Sequence, residues 1–391
     1  MFSLDRFYNI LHDNLISPLK HGRSMYFYPF GTYQHRIALI NKTDDILDPP
    51  FGPKKNWHND LEFCHCYFFD QEPIYDTTES IIRNSVLNPK FVSRTTRTNI
   101  LANSEISNIK DDIIKKHGFH NWYYFFHGFA ALDWYRDFQY FEPQSFNRFD
   151  KVFICYNHLT SNLRSYRLHL VSNLIEQNLV DHGKVSLFHK GWQDTIQDVE
   201  NPLDNRARVK IYNTLKDINN PLIIDTIDPN GQLSAKVNFD DLTSTLFHVV
   251  TETIYFDTKL HLTEKIFKPI VAKRPFFLVA APGNLEYLKS YGFRTFDQWI
   301  DESYDLEQDH YVRIEKITAE LARLCDMDRC ALEKIHSEMQ EVLEYNFNHF
   351  YNGFKDIIID ELVDNFENIL SYNNKQLPKE YLLEVKKRLK Q

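Results

Sequence analysis

The 391-residue chain holds only 11 glycines, and none fall into G-x-G-x-x-G or G-x-x-x-x-G-K-[ST]. Those patterns let a backbone approach a pyrophosphate closely, so their absence excludes the usual dinucleotide and P-loop sites. Cysteine is scarce too: Cys64, Cys66, Cys155, Cys325 and Cys330. An odd, low count argues against a disulfide framework and fits a reducing compartment. No window approaches the roughly 18 consecutive apolar residues of a membrane span. The first stretch, MFSLDRFYNILHDNL, lacks the basic start and long apolar run of a signal peptide. The expected location is therefore cytoplasmic. Basic excess is also missing: the formal net charge is −9. No global field draws the chain to nucleic acid, and the local group Lys90, Arg94, Arg97 and Lys110 reads as a solvated loop.

What is present is apolar and aromatic. Hydrophobic residues make up 43% and charged residues 25%, which is globular rather than disordered. The 31 Phe and 22 Tyr supply area for large cores and ligand clefts, but name no ligand. The length exceeds what one compact core holds and predicts two domains. The polar, Pro-containing segment Phe141 to Asp150 reads as the linker between them. The expected domains are 1–150, 151–345, and a helical tail over 346–391 that can pack back on the first domain.

In the first half, Phe7, Ile10, Leu11 and Leu15 mark one face of an amphipathic helix, and Met25 to Phe30 a short aromatic strand. Leu61 to Phe69 has the continuous apolar character of a buried strand. It ends in Asp70-Gln71-Glu72-Pro73, so two carboxylates sit where open α/β sheets bind ligands. Their alternative role is to cap the turn. Residues 99 to 118 read as a connection and a helix ending at Gly118. Trp122 to Phe126 reads as a strand leading to His127, which is either an acid–base group or a hydrogen-bonded structural histidine. Cys64 and Cys66 share a strand face while His65 faces away, and no second knuckle exists. Buried thiols are expected there, and no metal site.

The second half alternates strand and helix, which predicts a parallel sheet with crossover helices. Lys151 to Tyr156 is a buried strand. The helix after it, about Leu163 to Leu179, is capped by Ser161 or Asn162 and carries an apolar stripe of Leu168, Val171, Leu174, Ile175 and Leu179. Arg164 and Arg167 lie in its first turn. Cations there oppose the helix dipole unless an anion binds, so they read as a phosphate site or as surface arginines. The densest stretch is FHVVTETIYFDTKLHLTEKIFKPIVAKRPFF, Phe247 to Phe277. It reads as a strand, a loop with Glu252 at its start, and a helix start with Thr263 as N-cap followed by Glu264 and Lys265. A strand from Pro275 closes it. Pro269 is expected to kink that helix at a cost of about 3 kcal/mol.

This stretch resembles the donor-binding motif of the α1,3-fucosyltransferase family: Glu252-Thr253, a variable loop, Thr263-Glu264-Lys265 and a Pro-led strand at Pro275. ICYNHLTSNLRSYR resembles the family's strand, loop and Arg-bearing helix start that grips a nucleotide diphosphate, and the turn at Gly283 fits the same pattern. The resemblance covers about residues 151 to 300. It implies an α/β protein of GT-B architecture, two Rossmann-like domains facing a cleft, with C-terminal helices. It implies inverting transfer of a sugar from a nucleotide-diphosphate donor to an acceptor hydroxyl, with no essential metal and no cofactor beyond the donor. By this likeness Lys265 and Arg164 or Arg167 bind the diphosphate, Glu264 holds the ribose, and Glu252 sits near the donor sugar. The family's base lies near the end of a first-domain strand, a place that favours Glu72, then Asp70, with His127 and Asp133 in reserve. The loop from Tyr255 to Leu262 departs from the family pattern and is expected to decide the donor. The acceptor is a glycan or another hydroxyl; a modified DNA base fits the acidic charge poorly. The alternative is a catalytically inactive GT-B module that binds glycan or a partner protein.

Overall fold

The computed structural model describes residues 4–11, 14–15, 23–27, 64–74, 98–137, 149–187, 191–216, 222, 235–372 and 379–390. The chain divides into two compact units, Met1–Asp133 with Lys355–Gln391, and Trp134–Phe354. Each is built on a sheet of parallel strands covered by helices. Lys90, Arg94, Arg97, the segment 28–63 and most of the expected linker lie outside the described residues.

The first unit begins with helix α1 (Leu4–Leu11), which buries Phe7 and Leu11. Its sheet has strands β1 (Arg23–Phe27), β2 (Cys64–Phe69), β3 (Thr98–Asn103) and β4 (His120–Tyr123), all parallel and in sequence order. Phe27 pairs with Phe68, Phe68 with Ala102, and Ala102 with Trp122. Strand β3 replaces the connecting segment expected from residue 99. Helix α2 (Asn108–His117) starts where Ser107 accepts the Lys110 N–H at 3.2 Å. It stops at Gly118, whose φ of 64° suits glycine and whose N–H donates to Ile114 O. Phe69, Ile74, Leu101, Ile113 and Phe119 make one core cluster of this unit. Strand β4 ends at Tyr123, and helix α3 (Phe126–Leu132) begins where a longer strand was expected.

The second unit has β5 (Lys151–Cys155), helix α4 (Tyr166–Glu176), β6 (Gly183–Val185), helix α5 (Asn205–Leu215), β7 (Thr245–Thr251), helix α6 (Phe267–Val271), β8 (Phe276–Val279) and helix α7 (His310–Cys325). The strands are parallel in the order β6-β5-β7-β8. From β5 the chain moves first to one side, to β6, and then to the other, to β7. That reversal opens a crevice beyond the carboxyl ends of β5 and β7, the usual ligand position in such sheets. All seven residues of β7 are buried, as expected for a central parallel strand. Gly183 of β6 faces Phe153, where an added Cβ would lie 2.5 Å from the ring.

Three expectations for this unit are corrected. Helix α4 is buried at every position from Tyr166 to Leu174, so it is a core helix rather than a one-stripe helix. Neither Ser161 nor Asn162 caps it; a 3₁₀ turn, Asn162–Arg164, leads in through Ser165. Pro269 does not kink a helix. The segment starts as a 3₁₀ turn, Glu264–Ile266, and α6 begins only at Phe267. Pro269 thus falls in the first α turn, where an N–H has no intrahelical partner to lose. The helix ends with Lys273 at φ 49°, the Lys273 N–H donating to Ile270 O at 3.1 Å and the Arg274 N–H to Pro269 O at 2.9 Å. That is the Schellman pattern with lysine in the position glycine favours. Two contacts hold the lysine there: Glu344 at 2.6 Å, and the Phe347 ring 4.6 Å from its Nζ.

The chain returns to the first unit within α8 (Phe354–Tyr372) and ends in α9 (Lys379–Lys390). Trp122 is fully buried, donates from Nε1 to Leu362 O at 3.2 Å, and lies 4.8 Å from the Phe366 ring. Helix α9 buries Leu382, Val385 and Leu389. On its outer side Lys386 and Lys390 pair with Asp364 and Asp360 around a shallow depression of about 670 Å³.

Candidate active site

Strand β7 delivers Glu252 to the carboxyl edge of the second unit's sheet. Its side chain is not presented to a ligand. It is fully buried, and its carboxylate accepts from Thr263 N at 3.1 Å, Thr263 Oγ1 at 2.6 Å and Thr253 N at 3.3 Å. Burying a carboxylate is costly unless donors surround it, and here three donors do. The expected place beside a donor sugar is corrected to a structural one: Glu252 ties the end of β7 to the turn eleven residues on.

Arg167 is corrected in the same way. It is 4% exposed, and its guanidinium donates to Leu159 O at 2.8 Å, Thr251 O at 2.9 Å and Glu252 O at 3.1 Å. The Tyr166 hydroxyl donates to the same Glu252 carbonyl at 2.5 Å. Carbonyls at the end of a parallel strand lack ladder partners, and an arginine and a tyrosine from α4 satisfy them. Arg164 is different. It closes the 3₁₀ turn and is only half-buried, at the mouth of the loop that follows β5.

Glu264 is 5% exposed and lies beside the fully buried Tyr135. Burial, reinforced by the Glu264 charge, pushes the Tyr135 phenol well above its ordinary value. An open ribose-binding role for Glu264 does not fit that burial. Lys265 keeps the most access. Its side chain is 32% exposed, and its Nζ donates to Thr263 Oγ1 at 2.9 Å, with Thr253 Oγ1 at 3.5 Å and Glu264 Oε1 at 3.7 Å. The α6 segment is too short for a helix dipole to matter here, so the charge on the lysine itself is what attracts an anion.

Asn157 lines the end of β5. Its N–H donates to Ser186 Oγ at 2.9 Å, and its amide donates to Cys155 Sγ and Ser186 O. Burial pushes the Cys155 thiol up to about 12, with the Asn157 bond and the Arg167 charge acting in the opposite direction. It is an inert core thiol rather than a nucleophile.

The loop from Tyr255 to Leu262 is mostly interior. Tyr255 stacks on Tyr166 at 4.2 Å, donates its hydroxyl to His310 O at 2.5 Å, and carries the Arg313 guanidinium 4.4 Å from its ring centre. Lys259, His261 and Leu262 are buried. Of the residues expected to decide the donor, Phe256, Asp257, Thr258 and Leu260 keep some exposure.

In the first unit, the loop after β2 is pinned at three points. The Tyr124 hydroxyl donates to Asp70, which is fully buried. His127 Nε2 donates to Gln71 O at 3.0 Å. The Ile74 N–H donates to Glu105 at 2.6 Å. Glu72 stands between these anchors and is half-buried. The locked position of Asp70 leaves Glu72 as the better placed of the two expected carboxylates. His127 is buried, and Asp133 accepts from Arg6 at 2.5 Å. Among the described residues, no group of three or more His, Cys, Asp or Glu is placed to hold a metal ion. No helix among them is long and apolar enough to cross a membrane.

Sequence reasoning singled out the right stretch but missed Tyr124, Tyr166 and the hydroxyl of Thr263 as organising groups. Only Thr263 carried a signal, as an N-cap. Compared with protein-family models, curated protein sequences and solved structures, the chain matches none of them.

Proposed function

We propose that the chain is a nucleotide-sugar-dependent glycosyltransferase whose donor occupies the carboxyl edge of β5 and β7. The observation that carries this reading is Lys265: a partly exposed ammonium beside the point where the sheet order reverses, with the carboxylates around it already engaged internally. A cation held there neutralises a diphosphate in the ground state and, more strongly, as the leaving group gains charge. Arg164, at the end of the neighbouring strand's loop, is the second cation of this site.

In this reading the two units are the acceptor and donor halves of a GT-B enzyme. The acceptor oxygen attacks the anomeric carbon as its proton passes to the Glu72 carboxylate. The bond from that carbon to the diphosphate oxygen breaks, and the electron pair leaves with the diphosphate beside Lys265. A base and a leaving-group cation on opposite sides of the sugar give inversion without a metal in the step. The resemblance of Glu252-Thr253 and Thr263-Glu264-Lys265 to the fucosyltransferase motif supports the reaction class, and leaves open which sugar, which nucleotide and which hydroxyl acceptor.

A second reading has one observation in its favour. Asp70, Glu252 and Glu264 are all buried, so an inactive GT-B module that binds glycan or protein needs no further change to its carboxylates. Thermal-shift titration with UDP- and GDP-sugars, on wild type and Lys265→Ala, tests the donor site. Stabilisation that the variant loses supports it, and no stabilisation by any nucleotide sugar refutes it. Donor binding without turnover, unchanged in Glu72→Gln, favours the second reading.

A further inference from the structure

The hydroxyl of Thr263 has one proton and two neighbours. It donates to Glu252 Oε2 at 2.6 Å, and it accepts from Lys265 Nζ at 2.9 Å. Both distances lie in the range of charge-assisted hydrogen bonds. Because the single hydroxyl proton goes to the carboxylate, the oxygen can only accept toward the lysine. The direction of the whole chain is thus fixed: ammonium to hydroxyl to carboxylate. Glu252 is in turn held at its backbone, where Arg167 and Tyr166 donate to its carbonyl and Arg167 also to that of Thr251. A second bond, Thr263 N to Glu252 Oε1, keeps the threonine from turning away.

We propose that Thr263 is a positioning residue for a diphosphate: with Glu252 behind it, its hydroxyl fixes one N–H of Lys265 and turns the other two toward an anion in the β5–β7 crevice. Those two N–H groups have only long contacts inside the protein, Thr253 Oγ1 at 3.5 Å and Glu264 Oε1 at 3.7 Å. A lysine is otherwise a flexible point charge. Fixing it before the ligand arrives removes an ordering cost from binding. The β-branch of threonine adds to this, since it restricts χ1 where serine does not. The arrangement also accounts for Glu252 without a sugar contact: a buried carboxylate and a half-buried ammonium share one hydroxyl, and each offsets the other's charge until an anion arrives.

The inference rests on the donor-site reading, and the test separates the two. Inorganic pyrophosphate is titrated calorimetrically into wild type, Thr263→Ser, Thr263→Val and Lys265→Met. Thr263→Ser keeps the hydroxyl and binds within about threefold of wild type. Thr263→Val removes it and weakens binding roughly ten- to a hundredfold, the cost of a lost hydrogen bond to a charged group, approaching Lys265→Met. In the ligand-free wild type, the Thr263 hydroxyl proton gives a slowly exchanging NMR signal, which reports the bond to Glu252 whatever the protein binds. Equal pyrophosphate affinity in wild type and Thr263→Val overturns the positioning role and leaves the nucleotide-sugar reading standing. A protected hydroxyl in a wild-type protein that binds no pyrophosphate overturns the diphosphate assignment and the donor-site reading with it. The serine variant guards against misreading a Thr263→Val protein that folds poorly, because rescue by serine is not expected of a purely apolar packing role.

Discussion

Replacing His169 by Phe should flatten the acid side of the second unit's stability profile. His169 lies on α4, 5% exposed, with neither ring nitrogen hydrogen-bonded and its ring 5.3 Å from Tyr311. Burial lowers it from 6.5 to about 4; Lys210 and His310 lower it further, while Glu176 and Asp204 act in the opposite direction. The folded state therefore holds this imidazole neutral, whereas the unfolded chain protonates it near 6.5. Between those values the unfolded state binds more protons, so stability falls as the pH falls through that window. One site contributes a slope approaching 1.4 kcal/mol per pH unit, or about 2 kcal/mol between pH 6.5 and pH 4.5. Phe keeps the ring contact and removes the titration. The assay is hydrogen exchange of the peptide 166–176 at fixed pH values between 4.5 and 7.5, in wild type and variant. The difference between the two should open by about 2 kcal/mol on the acid side, in favour of the variant. Parallel profiles would refute the claim that burial holds His169 neutral. His248 and His336, lowered mainly by burial to about 3 and about 4, titrate in both proteins, so the difference isolates His169.

Three further outcomes follow from packing and geometry. Trp122→Ala should cost about 3–5 kcal/mol of first-unit stability in urea unfolding, since it removes a fully buried ring and the bond to Leu362 O; a cost near zero would deny that α8 packs on β4 as described. Lys273→Ala and Lys273→Gly both lose Glu344 and Phe347, but only alanine retains the strain of a positive φ. The glycine variant should therefore be the more stable of the pair by about 1 kcal/mol, and equal melting points would show that the helix end relaxes. Arg167→Leu strands three buried carbonyl contacts and should cost about 2–4 kcal/mol by thermal unfolding, whereas the half-buried Arg164→Ala should stay within about 0.5 kcal/mol. The reverse order would return Arg167 to the ligand side.

The parts of the fold legible in the sequence are those with enough apolar length. The runs around Cys64–Phe69, Lys151–Cys155 and Thr245–Thr251 each form a parallel strand. Strand β3 was hidden because only Ile100, Leu101 and Ala102 interrupt its polar flanks, too short a run to show a period. Its burial comes from neighbours on both sides. At the site, the stretch from Glu252 to Lys265 stood out by residue type, but the partner of each side chain did not. Arg167 was read against a helix start; what decides its role is the row of unpaired carbonyls at the end of β7, more than eighty residues away in sequence. Tyr255 was read as a ligand contact because it lies in a loop, yet Tyr166 and Arg313 enclose it from two other elements. Burial of polar groups is set by such long-range partners, which a local pattern does not carry. Pro269 was misjudged by a single turn, because the sequence does not mark where the 3₁₀ geometry gives way to α.

The central claim is that Lys265 receives the diphosphate of a nucleotide sugar at the carboxyl edge of β5 and β7. Calorimetric titration of UDP- and GDP-sugars into wild type and Lys265→Ala tests it most directly. The account predicts saturable binding of one nucleotide class, weakened at least about tenfold in the variant by loss of a charge-assisted contact. Binding of equal strength in both proteins, or none in either, would contradict it.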